Sequence, residues 1–103
     1  MDSSKPTYDL ANIKKLLCDS SSCHITKTAH IGAAELGYMD QEAIIDAIEE
    51  IQEEDFYKSM PSTKKKRLFQ DVYHLSHDGN ELYIKLQLSV NSKKVVIIQF
   101  KEK

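Results

Sequence analysis

Five polar side chains in the second half of the chain, Lys58, Gln70, Tyr83, Lys85 and Lys101, come from stretches that read as four neighbouring β-strands. Lysine ammoniums can neutralise a phosphate whose charge grows in a transition state, and a tyrosine or lysine can exchange a proton with an attacking or leaving oxygen. A phosphodiester in RNA brings its own nucleophile, the 2′-hydroxyl. An enzyme that cleaves it needs no metal and no covalent residue, only positioning, charge stabilisation and proton transfer. The plainer reading makes Tyr83 a partly buried strand aromatic and the lysines charges that protect a sheet edge, and the pattern by itself favours it. Of the four histidines, His24, His30 and His77 read as structural or surface residues. His74 can project from the same strand face as Gln70, and an imidazole there is chemically able to act as a base. No metal-binding motif, glycine-rich phosphate loop or Ser-His-Asp spacing is present, which removes most familiar enzyme classes.

The elements that must position these residues are clearest at the carboxy-terminal end. From Glu81 to Lys103 two strands are joined by a turn at Asn91 and Ser92. In the first, Leu82, Ile84, Leu86, Leu88 and Val90 share one side, and Tyr83, Lys85, Gln87 and Ser89 the other, because strand side chains alternate. In the second, Val96, Ile98 and Phe100 fall on one side, with Val95, Ile97, Gln99, Lys101 and Lys103 opposite. Upstream, Phe56 to Met60 reads as a strand ended by Pro61. A further strand from about Leu68 to Leu75 carries Phe69, Tyr73 and Leu75 on one side and Gln70, Val72 and His74 on the other. His77, Asp78, Gly79 and Asn80 form the hairpin turn that follows, since Asp-Gly supplies positive φ values.

The first half has helical spacing instead. Thr7 is the predicted cap of a helix with Leu10, Ile13, Leu16 and Leu17 inward, ending near Cys18. Cys23 to Thr26 is a short extended piece, and Thr28 can cap a helix that runs through Glu35 and closes at Gly37. Asp40 opens an amphipathic helix with Ile44, Ile45, Ile48 and Ile51 inward and Glu49, Glu50, Glu53 and Glu54 wet. Carboxylates at the negative end of a helix dipole predict fraying there. Helices followed by a meander of strands predict an α+β domain with helices packed on one face of a mostly antiparallel sheet, leaving the other face open.

The 103 residues are enough for one domain with one core, residues 1–103. No apolar run is long enough to span a membrane and no signal-peptide pattern opens the chain, so a soluble cytoplasmic protein is expected. In that setting Cys18 and Cys23 read first as reduced thiols; a disulfide or a zinc site, with His24 as the nearby third ligand, is the lesser alternative. The net charge of −2 averages two opposite halves. Residues 1–55 hold 4 lysines and 12 carboxylates, and residues 56–103 hold 10 basic and 4 acidic side chains. Clustered basic residues suit a phosphate backbone, because binding releases counterions, though charge alone fits a solvated basic face better.

Four motifs then carry a family resemblance: DFYKSM at Asp55 to Met60, QDVY at Gln70 to Tyr73, LYIKL at Leu82 to Leu86, and FKEK from Phe100. With NIKKLL at Asn12 to Leu17 and AELG at Ala34 to Gly37 in matching order, the chain resembles the MqsR family of messenger-RNA interferase toxins over nearly its full length. The resemblance implies a RelE-like α+β fold and the toxin of a type II toxin-antitoxin pair. It also implies ribosome-independent, metal-independent endoribonuclease activity that cuts mRNA at GCU-like sites by 2′-hydroxyl attack, leaving a 2′,3′-cyclic phosphate or related end and inhibiting translation and growth. The family's functional residues map to Lys58, Gln70, Tyr83 and Lys101. Lys58 and Lys101 would meet phosphate charge, Tyr83 would transfer a proton or orient an oxygen, and Gln70 would position the substrate. Tyr57 and Met60 would hold a base by stacking or apolar contact, and Lys64, Lys65, Lys66, Arg67, His74 and Lys85 would line the RNA path. No cofactor is implied. The implied partners are single-stranded mRNA and an antitoxin with a zinc-binding amino-terminal domain and a helix-turn-helix domain. That complex would repress its own operon, so DNA is met only through the antitoxin. The chain departs from the family pattern at Ser62 to Arg67, where KKKR adds charge, and at His74 to His77, where arginine-containing sequence is expected. A non-catalytic RNA-binding or partner-dependent regulatory module is the alternative from a different class.

Overall fold

A computed structural model describes residues 4–62 and 68–103. In chain order it contains α1 (Leu10–Leu17), β1 (Cys23–Ile25), α2 (Lys27–Glu35), α3 (Gln41–Ile48), β2 (Phe56–Pro61), β3 (Phe69–His77), β4 (Asn80–Leu88) and β5 (Val95–Glu102). The five strands form one sheet in the order β1-β5-β4-β3-β2. Only the short β1 runs parallel to its neighbour β5, and the β2, β3, β4 and β5 pairings are antiparallel. The helices lie against one side, so the expected α+β architecture is what the chain adopts. Pro61 ends β2, an edge strand, where a residue without an N–H does least harm.

Local chemistry sets the element boundaries. Asp9, not Thr7, caps α1, its carboxylate accepting from the Ala11 amide at 3.2 Å. Thr7 is used elsewhere: its amide and that of Tyr8 donate to the buried Asp71 carboxylate at 2.9–3.1 Å, and its hydroxyl pairs with Ser59 at 2.6 Å. The cap of α2 is Thr26 rather than Thr28, because the helix starts directly after β1. Gly37 closes α2 with φ 97°, where the Tyr38 amide reaches the Ala33 carbonyl and the Gly37 amide the Ala34 carbonyl. Asp40 caps α3 as expected, accepting from Ala43 at 2.8 Å. Ile44, Ile48 and Ile51 are buried while Ile45 is only half-buried, and α3 stops at Ile48, just before the exposed glutamates.

The sheet face under the helices is apolar: Tyr73 and Leu75 from β3, Leu82, Ile84, Leu86 and Leu88 from β4, and Val95, Ile97 and Phe100 from β5. Val95 and Ile97 were expected on the polar side of β5. A bulge moves them: Leu86 faces Ile97 and Lys85 faces Gln99, so Ile98 is an extra residue and the side-chain parity flips across it. Val90 also leaves the predicted apolar row, since β4 ends at Leu88 and Val90 lies 73% exposed in the connection to β5. The β3–β4 turn is the expected tight one, with Asp78 and Gly79 both at positive φ (49° and 81°).

α2 approaches β5 very closely at Gly32. A Cβ built there would sit 2.3 Å from the Phe100 carbonyl oxygen, a backbone atom that cannot rotate away. Gly32→Ala should therefore lower stability by about 1–3 kcal/mol, the usual cost of overpacking. Urea unfolding should show a lower midpoint with an unchanged slope.

Candidate functional site

The side of the sheet away from the helices is a largely polar surface, and strand register decides what it carries. Lys58 pairs with Val72, Val72 with Lys85 and Lys85 with Gln99, so these residues form one row across β2, β3, β4 and β5. The neighbouring row is His74, Tyr83 and Lys101. Met60 pairs with Gln70 on the same side, and the Gln70 amide donates to the Gln87 side-chain oxygen at 3.1 Å. Tyr83 and Lys101 thus meet directly, with the Lys101 ammonium 5.0 Å from the Tyr83 ring centre.

Two bulges make this surface. In β2 the register shifts between Phe56 and Lys58, so Phe56 packs on the core while the next two residues both serve the open side. Tyr57 lies with its ring 4.2 Å from that of His74 and nearly parallel to it, at 22°, and Lys58 pairs outward over Val72. In β5 the bulge at Ile98 turns Gln99 and Lys101 outward after Val95 and Ile97 have pointed in. Its carbonyls are held by the α2 cap: the Thr26 amide donates to Ile97 at 3.1 Å and the Thr26 hydroxyl to Ile98 at 2.9 Å. The same hydroxyl accepts from the Ala29 amide at 3.1 Å.

The electrostatics follow from this crowding. Burial, then Lys101 and Lys58 close by, push the Lys85 ammonium below the usual lysine range. Partial burial and then the Lys103 charge lower His74, which favours its neutral imidazole. Beneath the lysines Val72 is fully buried, so they stand on an apolar floor.

Lys58, Gln70, Tyr83 and Lys101 therefore lie on one face, together with Tyr57, Met60, His74 and Lys85. Lys64, Lys65, Lys66 and Arg67 lie outside the described residues. Gln87 and Gln99 belong to the face but were not singled out from sequence. Gln87 alternates with Tyr83 and Lys85, and Gln99 with Lys101, so period two alone places both on this side; only Val95 and Ile97 needed the bulge. The other histidines lie elsewhere. His24 is exposed on β1 and His30 half-buried in α2; His77 bonds the Tyr38 hydroxyl at 2.8 Å and lies 3.4 Å from Glu50. Cys18 and Cys23 are free thiols, and burial raises the Cys23 pKa.

These features define an α+β protein whose sheet is covered by helices on one side and presents cationic, aromatic and amide side chains on the other. The chain belongs to the MqsR toxin family. The family described as "Motility quorum-sensing regulator, toxin of MqsA" matches residues 5–102. The chain is also 32% identical over 103 residues, the whole of both chains, to the "mRNA interferase toxin MqsR" of Escherichia coli (strain K12). No helix among the described residues is long and apolar enough to cross a membrane.

If Lys101 is one of the charges holding Lys85 down, Lys101→Met should raise the Lys85 pKa back toward the ordinary lysine value of about 10.4. Side-chain ¹³C NMR titration of Lys85 in the two proteins checks this.

Proposed function

We propose that the chain is the toxin of a toxin-antitoxin pair and acts as a ribosome-independent endoribonuclease on mRNA. The observation that carries the reading is the convergence of Lys58, Gln70, Tyr83 and Lys101 from four strands onto one open face, in a family with an mRNA interferase among its members. The substrate supplies its own nucleophile. Its 2′-oxygen attacks the adjacent phosphorus, the P–O5′ bond breaks, and a 2′,3′-cyclic phosphate and a 5′-hydroxyl result. Lys58 and Lys101 stabilise the charge that grows on the non-bridging oxygens. Tyr83 gives a proton to the leaving 5′-oxygen, and Gln70, braced by Gln87, positions the phosphate. Tyr57 and Met60 contact bases by stacking and apolar contact, while Lys85 and the basic run Lys64 to Arg67 meet the backbone. Cutting at GCU-like triplets in the cytoplasm, with arrest of translation and growth, belongs to the same reading.

The whole chain is read as one RelE-like toxin domain. Its family description names an antitoxin, and we take that partner to carry a zinc-binding amino-terminal domain and a helix-turn-helix domain, the complex repressing its own operon. The zinc then belongs to the partner and not to this chain.

Incubation of the purified protein with single-stranded RNA in EDTA should give fragments ending in cyclic phosphate. Lys58→Ala, Tyr83→Phe and Lys101→Ala should each lower kcat by about 10²–10³-fold, the scale of losing one charge-stabilising or proton-transferring group, while circular dichroism stays unchanged. Cutting that survives all three changes would place the chemistry elsewhere. RNA binding that weakens with salt but yields no product would instead identify a non-catalytic binding module.

A further inference from the structure

In-line attack by a 2′-oxygen also needs a group to take the 2′-hydroxyl proton. The lysines and tyrosines of the open face suit that task poorly, because such side chains ordinarily titrate near 10, and Lys85, whose pKa is lowered, pairs with Val72 and Gln99 rather than with Tyr83. A neutral imidazole is different, and the face carries one histidine among the described residues of β2 to β5 that stands beside Tyr83. His74 pairs in register with Tyr83 across β3 and β4, and their ring centres are 5.9 Å apart. On its other side His74 is stacked on Tyr57. A stacked ring keeps its edge, which holds both nitrogens, in the plane parallel to Tyr57. It can therefore turn a nitrogen toward a substrate without leaving its support.

From this arrangement the geometry points to His74 as the general base of the cleavage, its imidazole taking the 2′-hydroxyl proton while Tyr83 serves the leaving oxygen. This rests on the endoribonuclease reading above and assigns a step that reading leaves open. The balance closes within the site. The 2′-O–H proton goes to His74, the 2′-oxygen forms its bond to phosphorus, the P–O5′ bond breaks, and the 5′-oxygen takes the Tyr83 hydroxyl proton. Imidazolium and phenolate then exchange one proton, directly or through water, which restores the enzyme. No oxidant or further reactant is required.

The surroundings favour the basic form. The charged and titratable groups near the ring are Tyr57 and Lys58 from β2, Glu81, Tyr83 and Lys85 from β4, and Lys101 and Lys103 at the end of β5, with Glu81 in the next row, its carboxylate accepting from the Ser76 hydroxyl. Partial burial and then the Lys103 charge disfavour the imidazolium, and the one carboxylate of the set is held by the Ser76 hydroxyl, so the His74 pKa lies below the ordinary imidazole value. The neutral base therefore persists to lower pH than an unperturbed histidine would allow. Once the substrate phosphate arrives, its negative charge helps to hold the imidazolium that the step creates.

The test is a pH–rate profile for cleavage of a short single-stranded RNA by the full chain in EDTA, across about pH 5 to 9. The wild-type protein should show an acid limb in kcat/KM with an apparent pKa below about 6.5. His74→Gln should lose that limb and lower kcat by about 10²–10⁴-fold, the usual contribution of a positioned base, with KM little changed. His74→Ala should regain part of its rate in added imidazole, following the free-base concentration. A His74→Gln protein that keeps both the limb and the rate, while the wild type cuts, would overturn the assignment to His74 alone. So would a folded His74→Ala protein whose lost activity imidazole does not restore. Failure of the wild type to cut RNA at any pH would overturn the endoribonuclease reading and this step together.

Discussion

Thr26 ties the helical layer to the open face of the sheet through one side chain. Its hydroxyl accepts from α2 and donates to the carbonyl of Ile98, while its amide binds Ile97. These are the residues at which β5 changes parity. A strand has no freedom to show Val95 and Ile97 to the core and Lys101 to solvent unless a residue is inserted between them, because alternation is strict. The inserted residue leaves backbone groups out of the ladder, and a buried unsatisfied carbonyl costs free energy. Thr26 satisfies them, so the cap that begins a helix also stabilises the irregularity that aims Lys101.

The same constraint appears at the opposite edge. Tyr57 is the extra residue of β2, and it lets Phe56 pack against Tyr73 in the core while Lys58 still faces outward. Close by, the buried Asp71 carboxylate gathers the Thr7 and Tyr8 amides, and Ser59 takes the Thr7 hydroxyl. The amino-terminal segment is thereby fastened beneath the strand pair that carries Lys58, Gln70 and His74. Helix-side packing fixes the backbone toward both ends of the sheet, at Gly32 against Phe100 and at Asp71 under β2 and β3, and the open side inherits its geometry. Rigid strands rather than loops hold the proposed groups, which suits a reaction that depends on positioning.

Much of this was legible in the sequence, for a physical reason. Period-two alternation in Leu82 to Leu88 and in Gln70 to Leu75 reports a half-buried strand directly, so Tyr83, Lys85, Gln70 and His74 could be assigned to one face. Asp78-Gly79 announced its turn because positive φ values at both positions favour such residues. Bulges leave no comparable mark. Ile97 and Ile98 are chemically alike, and only the fold says which of them is extra. Asp40 was read correctly as a cap, but Thr7 and Thr28 were not, for a related reason: the distant Asp71 carboxylate and Ser59 hydroxyl claim Thr7, and the end of β1 puts Thr26, not Thr28, at the start of α2. The stacking of Tyr57 on His74 was likewise invisible, since it arises from a register shift.

The charge on the face has a thermodynamic side that fits its proposed use. Lys85 titrates lower in the folded chain than an ordinary lysine because its burial and its two neighbours disfavour the ammonium. A lowered lysine pKa means that the folded state binds its proton less well than the unfolded state does. The repulsion is therefore fully present below the folded pKa and is relieved only as pH rises through that value. His74 acts in the same sense in acid: its lowered pKa costs nothing well above the ordinary imidazole range and opposes folding as pH falls below it. A surface selected for stability alone would disperse these cations or pair them with the carboxylates that abound in the first half of the chain. Holding them together over the buried Val72 keeps that repulsion in the free protein, where a bound polyanion can remove it. For the RNA substrate proposed above, part of the affinity would be relief of a strain the fold already contains, which is the trade between stability and function expected at such a site.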